Sequence, residues 1–245
     1  MYLKNLHIAI NGTTVVPDLS LQLASGTVHA IMGPNGSGKS SLAYALLGHP
    51  TYCLAGGTIL LDSIDITNQA PDERARAGIF LAYQQPIALP GVTVFTLLSE
   101  SWRALGKPPR SVPQMRDSIF DALALLGLDA SFIDRAVHDG FSGGEKKRFE
   151  MVQAVLLKPR VIILDEIDSG LDLDALTLVG RCLQVLQRDD PATRIIIITH
   201  YPRILRYVRP DHVHLMYKGA LALSADASLV ERIELHGYDL EKLKQ

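Results

Sequence analysis

The sequence predicts an α/β fold built on a mainly parallel sheet, with a helical segment inserted in its middle. Residues 161–164 and 195–198 are continuous apolar runs, which are typical of parallel strands covered on both faces. From Pro86 to about Pro159, helical periodicity replaces the alternation of strand and helix, which then resumes. We therefore expect one domain spanning 1–245, with an α/β part at 1–85 and 160–245 and a helical part at 86–159.

The individual elements follow from apolar periodicity and from turn residues. Pro71 near the first turn and Gly78 just past the end are typical boundaries of a short helix. Strands are predicted at 3–10, 19–23, 28–32, 58–61, 64–66, 79–83, 161–164 and 195–199, with a late hairpin of 212–217 and 220–223. Helices are predicted at 40–48, 71–77, 95–105, 115–126, 146–157 and 174–187.

The composition excludes several classes of protein. The 245 residues include 24 Lys and Arg against 26 Asp and Glu, and a net charge of −2 argues against a general nucleic-acid binder. The apolar runs are far shorter than the ~20 residues that a membrane-spanning helix needs. The N-terminal residues lack the long apolar core of a signal peptide. We therefore expect a cytoplasmic protein without direct membrane insertion.

Two cysteines, Cys53 and Cys182, are too few for a disulfide framework. They are also too few for an iron–sulfur cluster, which usually needs four thiolates. Because free cysteines are usually buried, we expect both to be small core residues.

The strongest local motif is a glycine-rich loop between a predicted strand and a predicted helix. It matches G-x-x-x-x-G-K-[ST] and consists of Gly33, Pro34, Asn35, Gly36, Ser37, Gly38, Lys39 and Ser40. Glycines let backbone N–H groups approach a polyphosphate closely, and the helix N-terminus adds partial positive charge. Lys39 is predicted to bridge the β- and γ-phosphates, and Ser40 to ligate Mg²⁺.

Two carboxylates, Asp165 and Glu166, follow the apolar run 161–164. In an open parallel sheet, ligands bind at the carboxyl ends of the strands. Asp165 is predicted to hold Mg²⁺, and Glu166 to orient and deprotonate an attacking water. Alone, such a pair more often marks a solvated turn, but its place after the phosphate loop favours catalysis.

A second candidate anion site precedes the predicted helix 146–157. Ser142, Gly143 and Gly144 supply a hydroxyl and exposed N–H donors at a helix start. Alone, Ser-Gly-Gly is a common helix cap. Two phosphate-binding helix starts in one chain suggest that the second completes the nucleotide site of another subunit.

The order of these motifs resembles the ATP-binding-cassette (ABC) ATPase family over essentially the whole chain. The series consists of the phosphate loop, Gln84 after a strand, Ser-Gly-Gly-Glu at 142–145, Asp165 and Glu166, the run 169–172, and Ile-Thr-His at 198–200. The resemblance implies a RecA-like core, an antiparallel β subdomain and an inserted helical subdomain. It also implies Mg²⁺-dependent hydrolysis of ATP by a transient, ATP-dependent dimer.

The resemblance assigns roles to further residues. It implies that Gln84 contacts Mg²⁺ and senses a partner, and that Ser142, Gly143 and Gly144 contact the γ-phosphate in the opposite subunit. Asp172 would cross the dimer seam, and His200 would hold the γ-phosphate and the attacking water.

Three positions depart from the family pattern. Near Ile10, where many members carry an aromatic that stacks on adenine, this chain is apolar, so we expect Val15 or Val16 to contact the base with weak purine selectivity. Ser41 replaces the usual Thr beside the phosphate loop, and we expect it to belong to the nucleotide-binding residues. Phe149 replaces an expected Asn and indicates a local packing difference.

Within the family, the details resemble the ATPase subunits of SUF iron–sulfur cluster assembly systems. The residues that carry this likeness lie at 32–40, 71–76, 141–148, 165–172, 199–201, 207, 210–211, 213–214 and 237–238. Transporter cassettes more often have Gln at position 145 and Pro at 167, where this chain has Glu145 and Ile167. The resemblance implies soluble SufB-like and SufD-like scaffold partners. The alternatives are the ATP-hydrolysing subunit of a membrane transporter and a nucleotide-gated binding module with negligible hydrolysis.

Residues 85–94 are the predicted route of energy transfer from Gln84 to a partner. Pro86, Pro90 and Gly91 resist helix formation and leave apolar residues such as Leu89 and Val92 that look exposed. The functional interpretation is a groove that docks a scaffold protein, and the alternative is a plain surface loop.

Overall fold

A six-stranded, mainly parallel sheet forms the centre of the computed structural model, which describes residues 1–243. The strands are β1 (Tyr2–Ile10), β2 (Thr13–Gln22), β3 (Val28–Met32), β4 (Tyr52–Leu61), β5 (Ile64–Asp65), β6 (Ile79–Ala82), β7 (Leu89–Thr93), β8 (Ala136–Val137), β9 (Val161–Asp165), β10 (Arg194–Ile198), β11 (His212–Tyr217) and β12 (Ala220–Ala225). The α-helices are α1 (Lys39–Leu47), α2 (Pro71–Arg76), α3 (Val94–Ala104), α4 (Val112–Leu125), α5 (Gly143–Leu157), α6 (Leu173–Asp189), α7 (Ser228–His236) and α8 (Leu240–Leu243).

The strand order in the central sheet is β12-β11-β3-β10-β9-β6, and only β12 runs antiparallel to its neighbour. The buried strands are apolar on both faces because each face packs against a separate core. Ile162 and Leu164 point into a core shared with the helices, whereas Ile163 points into a core shared with β1, β2, β4 and α1. The α/β fold predicted from the apolar runs is confirmed.

A second, antiparallel sheet covers one face of the central sheet. Its order is β2-β1-β4-β5. Two of its strands are longer than predicted, because turn-forming residues interrupt their apolar pattern. Pro17 lies inside β2, which is tolerated because β2 is an edge strand. Gly57 lies inside β4 with a φ of 91°, and a Cβ there would lie 2.3 Å from the Asn5 carbonyl oxygen.

The inserted segment carries α3, α4 and α5, whose apolar faces join the helical core. The structure differs from the sequence-based prediction in two places, in the inserted segment and near the C-terminal end of the described residues. Part of the expected loop 85–94 is a strand, since β7 pairs with β8 across about 45 residues of sequence. Sequence reasoning also missed α7 and α8, which bury Leu229, Ile233 and Leu243.

The cysteines have different environments. Cys182 is buried in α6, and burial raises the pKa of its thiol to about 12. Cys53 is exposed, so the prediction that it is a core residue is wrong. In β4, alternate side chains face solvent, and Cys53 occupies one of the solvent-facing positions.

In the part of the chain that the structure describes, no helix is both long enough and apolar enough to cross a membrane.

Candidate active site

The glycine-rich loop connects β3 to α1 and depends on glycine at specific points. Gly33 and Gly38 have φ values of 150° and 99°, in the region that favours glycine. A Cβ on Gly33 would lie 2.1 Å from the Met216 carbonyl oxygen, so no larger residue fits without displacing backbone. The turn is closed by a hydrogen bond from Ser37 N to Pro34 O at 3.2 Å. Its tip, at Asn35 and Gly36, is exposed.

Lys39 is folded into this loop. Its Nζ donates to the carbonyl oxygens of Gly33 at 2.8 Å and Pro34 at 2.9 Å. Burial lowers the pKa of the ammonium, and the nearby carboxylates of Glu166 and Asp165 oppose that shift. The cation therefore lies inside the curve of the loop, where it can exchange carbonyl contacts for phosphate oxygens.

Ser40 and Asp165 form a pair of oxygen donors beside the loop. The Ser40 hydroxyl donates to Asp165 Oδ1 at 3.0 Å. Burial, reinforced by the neighbouring Glu166, raises the pKa of Asp165 to about 6. Asp165 Oδ2 is buried and has no hydrogen-bond partner within residues 1–243.

A buried carboxylate oxygen without a partner, beside a hydroxyl, fits a hard cation such as Mg²⁺. Magnesium usually takes only one or two protein oxygens and completes its shell with water and substrate phosphates. The Ser40 hydroxyl and the Asp165 carboxylate therefore fit Mg²⁺.

Glu166 is held from two sides. Gln84 Nε2 donates to Glu166 Oε2 at 2.6 Å, and His200 Nδ1 lies 3.2 Å from Glu166 Oε1. Glu166 has a φ of 49°, which is uncommon for a residue with a side chain and is typical of functional sites. Its backbone N–H donates to Ile198 O at 2.9 Å, which ties this turn to β10.

The sheet register explains why these residues meet. Asp165 pairs with Ile198 across β9 and β10, so Glu166 and His200 both leave the sheet at the same edge. The His200 carbonyl accepts a hydrogen bond from the Tyr238 hydroxyl at 3.2 Å. Tyr238 precedes α8, and sequence reasoning gave it no role at this site.

The start of α5 is stabilised by a reciprocal cap. The Ser142 hydroxyl caps the helix by accepting a hydrogen bond from Glu145 N at 3.3 Å, and the Ser142 N–H donates to Glu145 Oε2 at 2.7 Å. Ser142 and Gly143 are exposed, and a Cβ on Gly143 would meet no atom within 4 Å. Within residues 1–243, no hydrogen bond joins Ser142 to the phosphate loop. Ser142 and Glu145 thus satisfy each other's polar groups, and Gly143 is open to solvent.

Asp172 is also exposed and serves as the N-cap of α6. Its Oδ1 accepts a hydrogen bond from Ala175 N at 2.8 Å. Within residues 1–243, no hydrogen bond or salt bridge joins Asp172 to Lys39, Asp165 or Glu166.

Sequence reasoning missed a lysine that links α5 to the catalytic turn. Lys147 is buried, and its Nζ donates to Glu166 O at 3.0 Å and to Ser169 O. A basic residue inside a run of charged residues predicts an exposed helix face. Its burial results from a loop that is adjacent only in the folded chain.

The prediction that Val16 contacts a base does not fit the structure. Val16 is fully buried, and its Cγ2 would lie 3.2 Å from a Cβ on Gly38, so it packs beneath the phosphate loop. Val15 is only half-buried and keeps exposed surface. Ser41 lies in the first turn of α1 and is also half-buried.

Comparison with known families identifies this arrangement. The sequence profile of the family described as "ABC transporter" matches residues 16–169. The chain is 42% identical to "Probable ATP-dependent transporter slr0075" of Synechocystis, over 97% of this chain and 93% of that protein. It is 44% identical to "Probable ABC transporter ATP-binding protein SpyM3_0208" of Streptococcus pyogenes serotype M3, over 96% of this chain and 92% of that protein.

Solved structures share the fold. The "Dimeric Structure of MJ0796, a Bacterial ABC Transporter Cassette" superposes with a TM-score of 0.80 at 20% identity, covering 92% of this chain and 98% of that one. A post-hydrolysis dimer of the same cassette, bound to ADP and Pi, superposes with the same score and coverage. The profile match and the relatives show that the chain belongs to the ABC family and is an ATP-binding, ATP-hydrolysing cassette.

Proposed function

We propose that this cassette hydrolyses ATP with Mg²⁺ and uses the reaction to change the shape of a soluble scaffold that assembles iron–sulfur clusters. The observation that carries the catalytic part is the Glu166 carboxylate, fixed between Gln84 and His200 next to the Ser40–Asp165 pair. The proposed proton acceptor, the proposed cation ligands and the glycine-rich loop lie at one edge of the sheet.

Each group has a defined task. Glu166 would accept the proton of the attacking water, while His200 orients that water against the γ-phosphate. Lys39 would offset negative charge on the β- and γ-phosphates. Ser40, Asp165 and Gln84 would hold Mg²⁺, which neutralises charge on the phosphate oxygens when it is bound.

We further propose that the site is completed by a second copy of the chain. Ser142 and Gly143 offer a hydroxyl and free helix N–H groups, yet they face solvent. A head-to-tail pair would place this tip against the triphosphate of the other copy. An isolated chain should then hydrolyse ATP slowly, because closure completes the catalytic group.

Mixing two inactive variants tests the shared site. Lys39→Ala removes the phosphate lysine of one copy, and Ser142→Arg blocks the helix tip of the other. A mixed pair contains one intact combination, so phosphate release should recover when the variants are mixed. No recovery at any ratio, with both variants folded, would show that each site lies within a single chain.

The iron–sulfur role rests on two sequence details that distinguish this chain from transporter cassettes, Glu145 and Ile167. Glu145 completes the cap of α5, and the hydrogen bonds from Ser142 lower the pKa of its carboxyl. Ile167 is buried in the helical core directly after the catalytic turn. Both residues therefore shape the segments that surround the nucleotide.

A groove between the α/β part and the helical part is the proposed docking site for the scaffold. Its volume is about 830 Å³, and it runs past Tyr83 and Gln85, next to Gln84. Ile87 is 81% exposed and Leu89 39% exposed, and both line the groove. Val92, which was also predicted to be an exposed apolar residue, is not among the lining residues.

Purification of the native complex tests this assignment. A soluble partner carrying iron and sulfide is the expected result. Ile87→Asp should abolish recovery of that partner while MgATP binding is retained. Leu235→Asp is the matched control, since Leu235 is 77% exposed on α7, outside the groove. Equal recovery with both variants would dismiss the groove.

The printed names of the relatives favour a second candidate, the energising subunit of a membrane transporter. Co-purification separates the two, because a transporter subunit should bring an integral membrane protein and no sulfide. The intact Glu166, His200 and Gln84 argue against a binding module with negligible hydrolysis. Phosphate release measured with the partner present decides that point.

A further inference from the structure

A second buried carboxylate lies outside the nucleotide site. Glu150 is on α5 and is 4% exposed. Its Oε1 accepts hydrogen bonds from His138 Nε2 at 3.1 Å and from Gln153 Nε2 at 2.8 Å, and its Oε2 accepts one from Tyr83 N at 3.3 Å. No Lys or Arg side chain of residues 1–243 pairs with it in a salt bridge. Burial of a carboxylate destabilises the folded chain unless hydrogen bonds replace its contacts with water. The three donors supply those hydrogen bonds.

The three donors come from different parts of the chain. Tyr83 directly precedes Gln84, whose side chain holds Glu166. The helix that carries Glu150 is capped by Ser142, eight residues earlier, which is ~12 Å along an α-helix. One carboxylate therefore joins the loop that meets this chain's own nucleotide to the helix whose tip faces outward.

The surroundings of His138 make this junction rigid. The His138 ring packs edge-on against Phe141 at 5.7 Å and against Phe149 at 5.3 Å between ring centroids. Phe149 is fully buried, and His138 has a φ of 58°. Because packing fixes the imidazole, its hydrogen bond holds Glu150 in one position.

The junction also borders the proposed docking groove. Tyr83, His138 and Glu150 are all among its lining residues. A partner seated there would contact the same groups that position Gln84 and α5.

We infer that Glu150 is a positioning residue for ATP hydrolysis, which couples the Gln84 loop to the tip of α5 and transmits occupancy of the groove to both. The inference rests on the proposed shared site. It assigns Glu150 no contact with ATP. Loss of the coupling should impair closure of the pair and turnover, and should leave binding of MgATP to the single chain intact.

The test compares Glu150→Gln with Asp121→Asn, the same carboxylate-to-amide change at an exposed position of α4. The amide at position 150 has one acceptor oxygen, so it cannot satisfy both Tyr83 N and His138 Nε2. We expect Glu150→Gln to lower kcat about tenfold with the KM for MgATP within twofold. Asp121→Asn should match the wild type.

Dimer formation is the second readout. In a Glu166→Gln background with MgATP, adding Glu150→Gln should raise the protein concentration needed for half-dimerisation about tenfold. Equal kcat and equal dimerisation in the Glu150 and Asp121 variants would overturn the inference. If Glu166→Gln does not dimerise with Glu150 intact, the shared site itself fails. If Glu150→Gln does not fold, His138→Asn replaces it in both measurements. This variant removes the Nε2 donor and keeps the Glu150 carboxylate, and it should also lower kcat and weaken dimerisation.

Discussion

Glu166 and His200, 34 residues apart in sequence, approach to 3.2 Å between Oε1 and Nδ1. The contact exists because β9 and β10 are parallel neighbours that end at the same edge of the sheet. Gln84 fixes the other oxygen of the carboxylate from the end of β6. The group proposed to accept a proton is therefore oriented by two separate loops, one of which borders the docking groove.

Glu166→Gln should retain MgATP binding and lose turnover. The amide keeps the shape of the side chain but cannot accept the proton of the attacking water, and general-base losses are ~10²–10⁴-fold. Phosphate release and nucleotide binding measure the two effects. Glu231→Gln, an exposed change on α7, is the control. Turnover at the wild-type rate in Glu166→Gln would remove Glu166 from the mechanism.

Loss of either oxygen donor should weaken the use of magnesium. Asp165→Asn and Ser40→Ala should each raise the Mg²⁺ concentration for half-maximal hydrolysis at least about tenfold, since changes around metal ligands typically cost 10–100-fold in affinity. Titration of Mg²⁺ at saturating ATP measures this. Asp189→Asn, at an exposed position at the end of α6, should leave the titration unchanged. An unshifted curve for Asp165→Asn contradicts the assignment of that carboxylate.

Substitution by Ala should lower the melting temperature at one glycine and leave it unchanged at another. Gly33→Ala places a Cβ 2.1 Å from a carbonyl oxygen, so it should lose ATP binding and melt at a lower temperature. Gly143→Ala meets no atom of its own chain within 4 Å and should melt like the wild type.

The Gly143→Ala variant should nonetheless lose turnover at least about tenfold, because the new methyl group enters space shared with the other copy's phosphate. Thermal unfolding and phosphate release on the same samples separate the two effects. Full activity of Gly143→Ala would contradict a close approach of this tip to a ligand.

Two buried histidines should make stability fall in acid. His29 Nδ1 and His214 Nε2 lie 2.9 Å apart, and burial, reinforced by neighbouring histidines, lowers their pKa values to about 3 and about 4. Between pH 6.5 and about 4, the unfolded chain takes up protons that the folded chain does not. The free energy of unfolding is therefore unaffected by these histidines above pH 6.5. Below that pH it falls by ~1.4 kcal/mol per pH unit for each histidine.

Urea unfolding between pH 4.5 and 7.5 measures this slope. His29→Gln should flatten the dependence of the unfolding free energy on pH, whereas His7→Gln, at an exposed position, should not. Equal slopes for the wild type and His29→Gln would show that His29 titrates normally in the folded chain.

The candidate site residues that could be predicted from the sequence lie in short, continuous segments. The loop 33–40 and the pair Asp165 and Glu166 carry their chemistry in their own residue order, so spacing predicted them. The parallel core was equally accessible, because an apolar run buried on both faces has few alternatives. The structure confirms that core.

Groups that depend on distant packing could not be predicted in this way. Lys147 looks like an exposed helix residue until the turn after β9 covers it. Glu150 gains its role from Tyr83 and His138, which are 67 and 12 residues away. Val16 is apolar and next to the phosphate loop, and only its orientation in β2 shows that it packs under the loop and not toward a base.

In the proposed dimer, one chain supplies the phosphate loop and the other supplies the helix tip. The decisive experiment is a structure of Glu166→Gln with MgATP. We expect two chains head to tail, with Ser142 of one copy at hydrogen-bond distance, about 3 Å, from the γ-phosphate held by Lys39 of the other. A nucleotide-loaded structure in which Ser142 faces only solvent would contradict it.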